Sequence, residues 1–374
     1  MTEVSLSIDA QGLASSEFNG LLSYESRIFE TALGSWPGEA LRALALDCAI
    51  ADCPLLARTF WMGGRERPRC VLEALALEIL RLHVPAEALS EAGAEWWVQR
   101  RPGGRSSMLE KDFVERATSP PSLQRKRARL NLAEDMSIGP RSHRLDWHFD
   151  KDEELAAGTP LFLAPQLSTV TYLTTFGGPT VVLNCVAHPM SGEPTALAPL
   201  FSDLPQGRVD GADVVFPTLG RHLKFDGRKM HAVVPALASR TAQASEDQPR
   251  LTLLVNVWIG HKPLAVEPFP NHFLDKLSPA SGPLCLFRPI DHGTPLQPLP
   301  LDSGPRLRLI PGDDKEEQDK DLLPPRKKTL VFQPPAALAN WSGTLPPAVS
   351  LKTSNDTTQA PPIALFENKQ QVTS

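Results

Sequence analysis

Between Trp147 and Gly260 the chain is a succession of short β-prone runs separated by glycine and proline, and no other stretch restricts the possible folds so strongly. Ser168 to Thr174 and Thr180 to Leu183 are rich in Thr and Val and flank the breaker Phe176-Gly177-Gly178-Pro179, which predicts a hairpin or a sharp connection. Val214 to Pro217, Gly220 to Phe225, Met230 to Val234 and Arg250 to Ile259 continue the pattern, with Asp226-Gly227 as a turn. Branched and aromatic residues suit a pleated, half-buried surface, and many short strands punctuated in this way close into a sandwich or barrel. Glu95 to Arg100, between Gly93 and the Pro102-Gly103-Gly104 turn, opens the β region.

The flanks read differently. In residues 1–90, Val71, Leu72, Leu75, Ile79 and Leu82 recur at helical spacing after Pro68, and Leu41, Leu44 and Cys48 indicate an earlier helix. These helices are expected to buttress the β core and to carry no chemistry. Of the 37 prolines, 18 lie beyond residue 267, so the C-terminal part is loop-rich. Arg306 to Ile310 and Lys328 to Phe332 nevertheless alternate as two further strands, expected to pair on the edge of the barrel. The expected division is a helical region 1–90, a β domain 91–265 with a basic insertion at 100–144, a Pro-rich extension 266–333, and an unstructured tail 334–374.

A formal charge of −5 gives no general attraction to nucleic acid or to anionic membrane. Met1 to Gln11 has neither a basic leader nor an apolar segment, and no run reaches the ~18 apolar residues of a membrane span. Five scattered cysteines without a CxxC pair fit free thiols in a reducing compartment, so the protein is expected inside the cell, in the cytoplasm. The basic stretch from Arg100 to Arg129 stands out in an acidic chain and offers a dock for an acidic partner.

One run carries candidate chemistry: Trp147-His148-Phe149-Asp150. If it is extended, His148 and Asp150 point to one side, because strand side chains repeat every two residues. With a second imidazole from a later strand, His231, they form the two-histidine, one-carboxylate set that holds Fe(II) and leaves positions open. Asp152 shares that face on paper but lies ~13 Å along a strand, too far to join the same ion. It is expected to cap or brace the loop.

A lone HxD is weak, since nine histidines produce about one such match by chance. The order of the remaining pieces adds to it: Tyr172-Leu173-Thr174, Gly177-Gly178-Pro179-Thr180, Phe216-Pro217 with Gly220, then His231 before Arg250-Leu251-Thr252. In this order the sequence resembles the double-stranded β-helix (jelly roll) Fe(II)/2-oxoglutarate dioxygenases, and among them the prolyl-4-hydroxylase-like branch. The resemblance implies that His148, Asp150 and His231 bind iron and that 2-oxoglutarate and O2 are consumed. An unidentified protein or small-molecule substrate would be hydroxylated, with release of succinate and CO2 and with ascorbate in support. The enlarged stretch between Leu183 and Val214 and the insertion after His231 depart from the family pattern and bear on substrate choice.

The distal carboxylate of the oxo acid needs a buried cation, and Arg250 supplies a planar fork matched to it. Thr252 lies on the same face of the strand, as do Asn256 and Trp258. By the resemblance Tyr172, one of only two tyrosines, donates its phenol to that carboxylate. Arg240 competes by spacing, nine residues after His231, but the polar run 241–249 reads as a loop ahead of the last strand. Two other readings stand beside this one: a cupin-like jelly roll with different metal chemistry, which has no need of a buried arginine, and a non-enzymatic interaction protein on a decayed barrel.

Overall fold

The computed structural model describes residues 7–9, 12–101, 145–159, 161–186, 211–234, 249–280, 284, 286–287, 293–296, 298–299, 306–311, 328–333 and 348–352. Most of the basic insertion, Arg240 and the greater part of the C-terminal tail lie outside these residues.

The described residues are mainly β and form two large sheets. The strands that build the interior are β3 (Ala92–Arg101), β4 (Leu145–His148), β5 (Leu167–Tyr172), β6 (Thr180–Val186), β7 (Gly211–Val215), β8 (Arg221–Asp226), β9 (Lys229–Val233) and β10 (Arg250–Ile259). Successive strands pass from one sheet to the other except at β6 and β7, which pair within one: β3, β5, β8 and β10 enter the first sheet, while β4, β6, β7 and β9 enter the second. Within the first sheet the spatial order is β8, β5, β10, β3, and within the second β7, β6, β9, β4, all pairing antiparallel. The Gly177-Gly178-Pro179 breaker therefore joins strands of different sheets and is a sharp connection rather than a hairpin.

Strand β10 shows why the sequence sorts this way, because it is buried along its whole length on both faces. Leu251, Leu253, Val255, Val257 and Ile259 pack outward against two helices, α1 (Gly38–Ala51) and α2 (Val71–His83). Leu72, Leu75, Ile79 and Leu80 of α2 and Leu44 and Cys48 of α1 meet them there, with Trp96 stacked on Phe269 and tilted against Phe60. Arg250, Thr252, Leu254, Asn256 and Trp258 alternate to the other face and line the space between the sheets. Buried polar groups require partners, so a strand whose second buried face is largely polar marks that interior as a site.

Three sequence expectations need correction. Residues 1–90 are not only helical: β1 (Arg27–Glu30) pairs with β8, and β2 (Phe60–Gly63) pairs with β3, extending the first sheet at both edges. Each has four residues, too few for alternation to declare itself. Within the expected unstructured tail, β15 (Ala348–Lys352) pairs antiparallel with β7 and on its other side with β12 (Pro298–Leu299), so it is part of the second sheet, while β11 (Thr294–Pro295) lies beyond β1 in the first. The alternating runs of the Pro-rich extension do form strands, β13 (Arg306–Pro311) and β14 (Lys328–Gln333), but they pair with each other and not with the edge of either large sheet. Among the described residues, no helix is long and apolar enough to cross a membrane.

Candidate metal centre

His148 and His231 meet as directly opposed residues of β4 and β9, with ring centroids 4.2 Å apart. Asp150 closes the group: its Oδ1 is 3.7 Å from His148 Nε2 and its Oδ2 is 3.7 Å from His231 Nε2. The three ligand atoms lie within 4.8 Å of one another. Strand alternation is not what places Asp150, since β4 ends at His148. The carboxylate is instead fixed from the first sheet, where Ser168 Oγ of β5 donates to Asp150 Oδ2 at 2.7 Å. Beyond it Asp152 is buried, accepting from Leu155 N, Leu264 N and His261 Nε2 at 2.8–2.9 Å, so it braces the loop as expected and is no ligand.

The donor set suits a divalent cation. His231 Nδ1 lies 3.1 Å from the Lys229 carbonyl. A carbonyl only accepts, so Nδ1 carries the proton and Nε2 presents its lone pair towards Asp150. Burial is the main cause that pulls the His231 imidazole down to about 4, with the neighbouring His148 adding to the shift and Asp150 opposing it. A neutral imidazole is the form that binds a metal. Phe225 packs edge-on against the ring at 5.0 Å, while His148 keeps about a third of its side chain exposed, which leaves the group open on one side.

Along the same inner faces stands Arg250. It is buried, and among the described residues no carboxylate pairs with it. Its contacts are long: Nη2 to Thr180 Oγ1 at 3.3 Å, Nη1 to Thr252 Oγ1 and to Gln99 Oε1 at 3.4 Å, while Nε has no partner among the described residues. Burial lowers its pKa from the ordinary arginine value, the Tyr172 phenol opposing that and Arg101 reinforcing it. The guanidinium lies over the Tyr172 ring at 5.5 Å. Gly177 makes the approach possible: at φ +97° a Cβ there would stand 2.5 Å from Arg250 Cδ.

Tyr172 is wholly buried, its hydroxyl 2.7 Å from Thr180 Oγ1 and 2.9 Å from the Val215 carbonyl. The carbonyl accepts the phenol proton, so Thr180 donates to the phenol and offers lone pairs to Arg250. As the side chains stand, Tyr172 gives Arg250 its ring face, and Thr180, Thr252 and Gln99 give it polar contacts. Sequence reasoning assigned nothing to Thr180, Gln99 or Ser168. Thr180 sits in the Gly-Gly-Pro-Thr run already singled out, which is the one signal that could have found it.

No family profile and no curated protein matches the chain. Among solved structures it is similar, at low identity, to the apo form of EctD from S. alaskensis, with a TM-score of 0.33 and 14% identity over 76% of this chain and 93% of that one. SnoK, a non-haem alpha-ketoglutarate-dependent carbocyclase from nogalamycin biosynthesis, gives a TM-score of 0.31 and 13% identity over 73% and 94%. An oxidoreductase of the 2OG-Fe(II) oxygenase family from Burkholderia pseudomallei gives 0.19 and 17% over 59% and 93%.

Proposed function

We propose that the protein is an Fe(II)- and 2-oxoglutarate-dependent oxygenase built on a double-stranded β-helix, converting R–H, 2-oxoglutarate and O2 into R–OH, succinate and CO2. The motif order favours the prolyl-4-hydroxylase-like branch as its place in that superfamily. The observation that carries the reading is the pairing of an open His148, Asp150, His231 set with a buried arginine, which no carboxylate meets among the described residues, on the inner faces of the same two sheets. A cupin-like metal site has no use for that arginine. A buried guanidinium without an anion is costly to keep unless an anion arrives to meet it.

His148, Asp150 and His231 would hold the iron, which when bound supplies the oxidising chemistry that couples oxo-acid decarboxylation to hydroxylation. The chain does the positioning. Ser168 orients the carboxylate ligand, Lys229 fixes the tautomer of His231, and Arg250 with Thr252 and Thr180 receives the distal carboxylate of 2-oxoglutarate. Tyr172 supports the guanidinium from below and, if the phenol yields its proton from the Val215 carbonyl, adds a donor. The deciding assay incubates the protein with Fe(II), ascorbate, O2 and 2-oxoglutarate and measures succinate, uncoupled turnover included. Succinate formation that depends on iron is expected, and its absence with iron bound would sink the reading.

A further inference from the structure

A row of side chains crosses the inner face of the first sheet at the level of the triad. Cross-strand register sets Trp61 beside Glu95, Glu95 beside Asn256, Asn256 beside Ser168, and Ser168 beside Phe225. One end of the row belongs to the metal centre, through Ser168 on Asp150 and Phe225 on His231. Neighbouring strands are ~4.8 Å apart, so Asn256 stands one strand, and Glu95 two strands, from Ser168 on the same side. Neither has a part in holding the metal.

Both present acceptors. Glu95 takes the Trp258 indole N–H, a neutral donor, at 3.0 Å. Among the described residues no cation pairs with it. Asn256 Oδ1, on the residue directly across the register from Glu95, is buried and has no hydrogen-bond partner among the described residues. Desolvation pushes the Glu95 carboxyl up to about 7, with the charge of Asp150 adding to it. Trp258 is fully buried and packs with Trp61, while Trp97, two residues from Glu95 on the same face, and Trp61 both keep part of their surface exposed. A glutamine could brace the Trp258 indole equally well without burying an ionisable group, and bracing leaves the orphaned Asn256 oxygen unexplained.

We propose that Glu95 and Asn256, framed by Trp61, Trp97 and Trp258, are the substrate-recognition wall of the metal site and take an organic cation carrying several N–H donors, such as a primary ammonium. That the cation is a substrate rests on the oxygenase reading; that a cation binds there does not. An ammonium satisfies carboxylate and carbonyl together and gains from the indole faces. A hydroxyl group has one donor and leaves the carboxylate uncompensated.

The test uses the metal-free full-length chain, with n-pentylammonium and its neutral analogue 1-pentanol as probes and tryptophan emission as the readout. The ammonium should bind saturably and at least ~10-fold more tightly than the alcohol, the difference expected of a charge-assisted hydrogen bond. Glu95→Gln should remove that preference, and Asn256→Ala, which deletes an unpaired buried oxygen and spares the Glu95 to Trp258 bond, should weaken ammonium binding several-fold by ~3 to 10. No saturable binding of the ammonium, equal affinity for the two probes, or ammonium affinity unchanged in folded variants overturns the assignment and leaves Glu95 as a brace. Binding without iron also separates the two ideas: intact ammonium binding with no succinate formation counts against the oxygenase reading, and the reverse counts against this wall.

Discussion

Two histidine pairs are held from opposite faces of β5, and they have become different things. On the inner face Ser168 carries Asp150, which faces both His148 and His231. On the outer face Thr171 Oγ1 lies 2.7 Å from His222 Nδ1, and His222 Nε2 meets His83 Nε2 at 2.9 Å. The outer pair is sealed by Phe29 and Phe287, has no carboxylate against it among the described residues, and has Lys224 close enough to disfavour a second charge. One proton between two neutral imidazoles satisfies that pair. The inner pair has an anion between its rings and an exposed side, and only that combination invites a cation. Proximity of histidines therefore says little; the carboxylate and the opening decide.

The largest effect that could break this contrast is on metal binding. His148→Ala, Asp150→Ala or His231→Ala should each weaken Fe(II) or Co(II) affinity by more than ~100-fold, since losing a ligand costs more than losing an outer hydrogen bond to one. His222→Gln should leave the metal stoichiometry at that of the wild type. Metal analysis of the purified variants checks both halves, and iron retained by all three ligand variants would remove the site.

A second contrast runs along β10, whose outward residues are aliphatic and whose inward residues begin with Arg250. Arg250→Ala should raise the apparent Michaelis constant for 2-oxoglutarate at least ~10-fold, the consequence of losing a charge-assisted contact. Arg240→Ala should change it little. The reverse result would move the carboxylate contact to Arg240.

The outer pair makes its own prediction through pH. His222 is held by burial at about 3, below the ordinary histidine value of 6.5. The unfolded chain then binds the extra proton first, so stability is full above about pH 6.5 and falls as the pH drops towards the folded value. Between pH 7 and pH 5 this one residue costs ~2 kcal/mol, and His83, lowered in the same direction, adds to it. Urea midpoints at the two pH values should show a smaller loss for His222→Gln than for the wild type. Equal losses would mean that the outer pair is not held neutral.

Local pattern made some of this visible in the sequence and not the rest. Arg250 to Ile259 is a strand over the expected span because ten residues rich in Leu, Val and Ile run on without Gly or Pro. Val71 to Leu82 is legible as a helix for a similar reason: a long amphipathic period survives any context. The four-residue β1 and β2 and the isolated β15 exist because a neighbouring strand offers its free edge, and nothing inside their own residues says so. The triad was legible as residue types in an order. What holds Asp150 was not, because β4 stops at His148 and the carboxylate is fixed by Ser168 from the facing sheet. Thr180, Gln99, Glu95 and Asn256 share that character: their roles come from register between strands distant in sequence.

The smallest expected effect is the sharpest test of the two faces, because it changes one hydroxyl on each. Ser168 and Thr171 are both buried on β5, three residues apart and therefore on opposite sides of the sheet. Ser168 Oγ donates to Asp150 Oδ2 and holds one carboxylate oxygen in place, while the other lies towards His148. Removing that hydroxyl leaves all three ligands present but lets the carboxylate rotate, and outer hydrogen bonds to a metal ligand are worth ~10- to 100-fold in affinity. Ser168→Ala should sit at the lower end, ~10-fold, because Asp150 keeps its place in the loop that Asp152 braces. Thr171→Val keeps the shape of the side chain and removes the contact to His222 Nδ1, leaving that nitrogen buried with no partner, so it should lower stability by ~1 to 3 kcal/mol. Its Co(II) affinity should equal that of the wild type. Titrating Co(II) into both variants and measuring their urea midpoints gives a crossed result if the faces are independent: metal affinity falls in Ser168→Ala, and stability falls in Thr171→Val. A loss of metal affinity in Thr171→Val as large as in Ser168→Ala would show that β5 transmits strain between its faces and that the two histidine pairs are one coupled system.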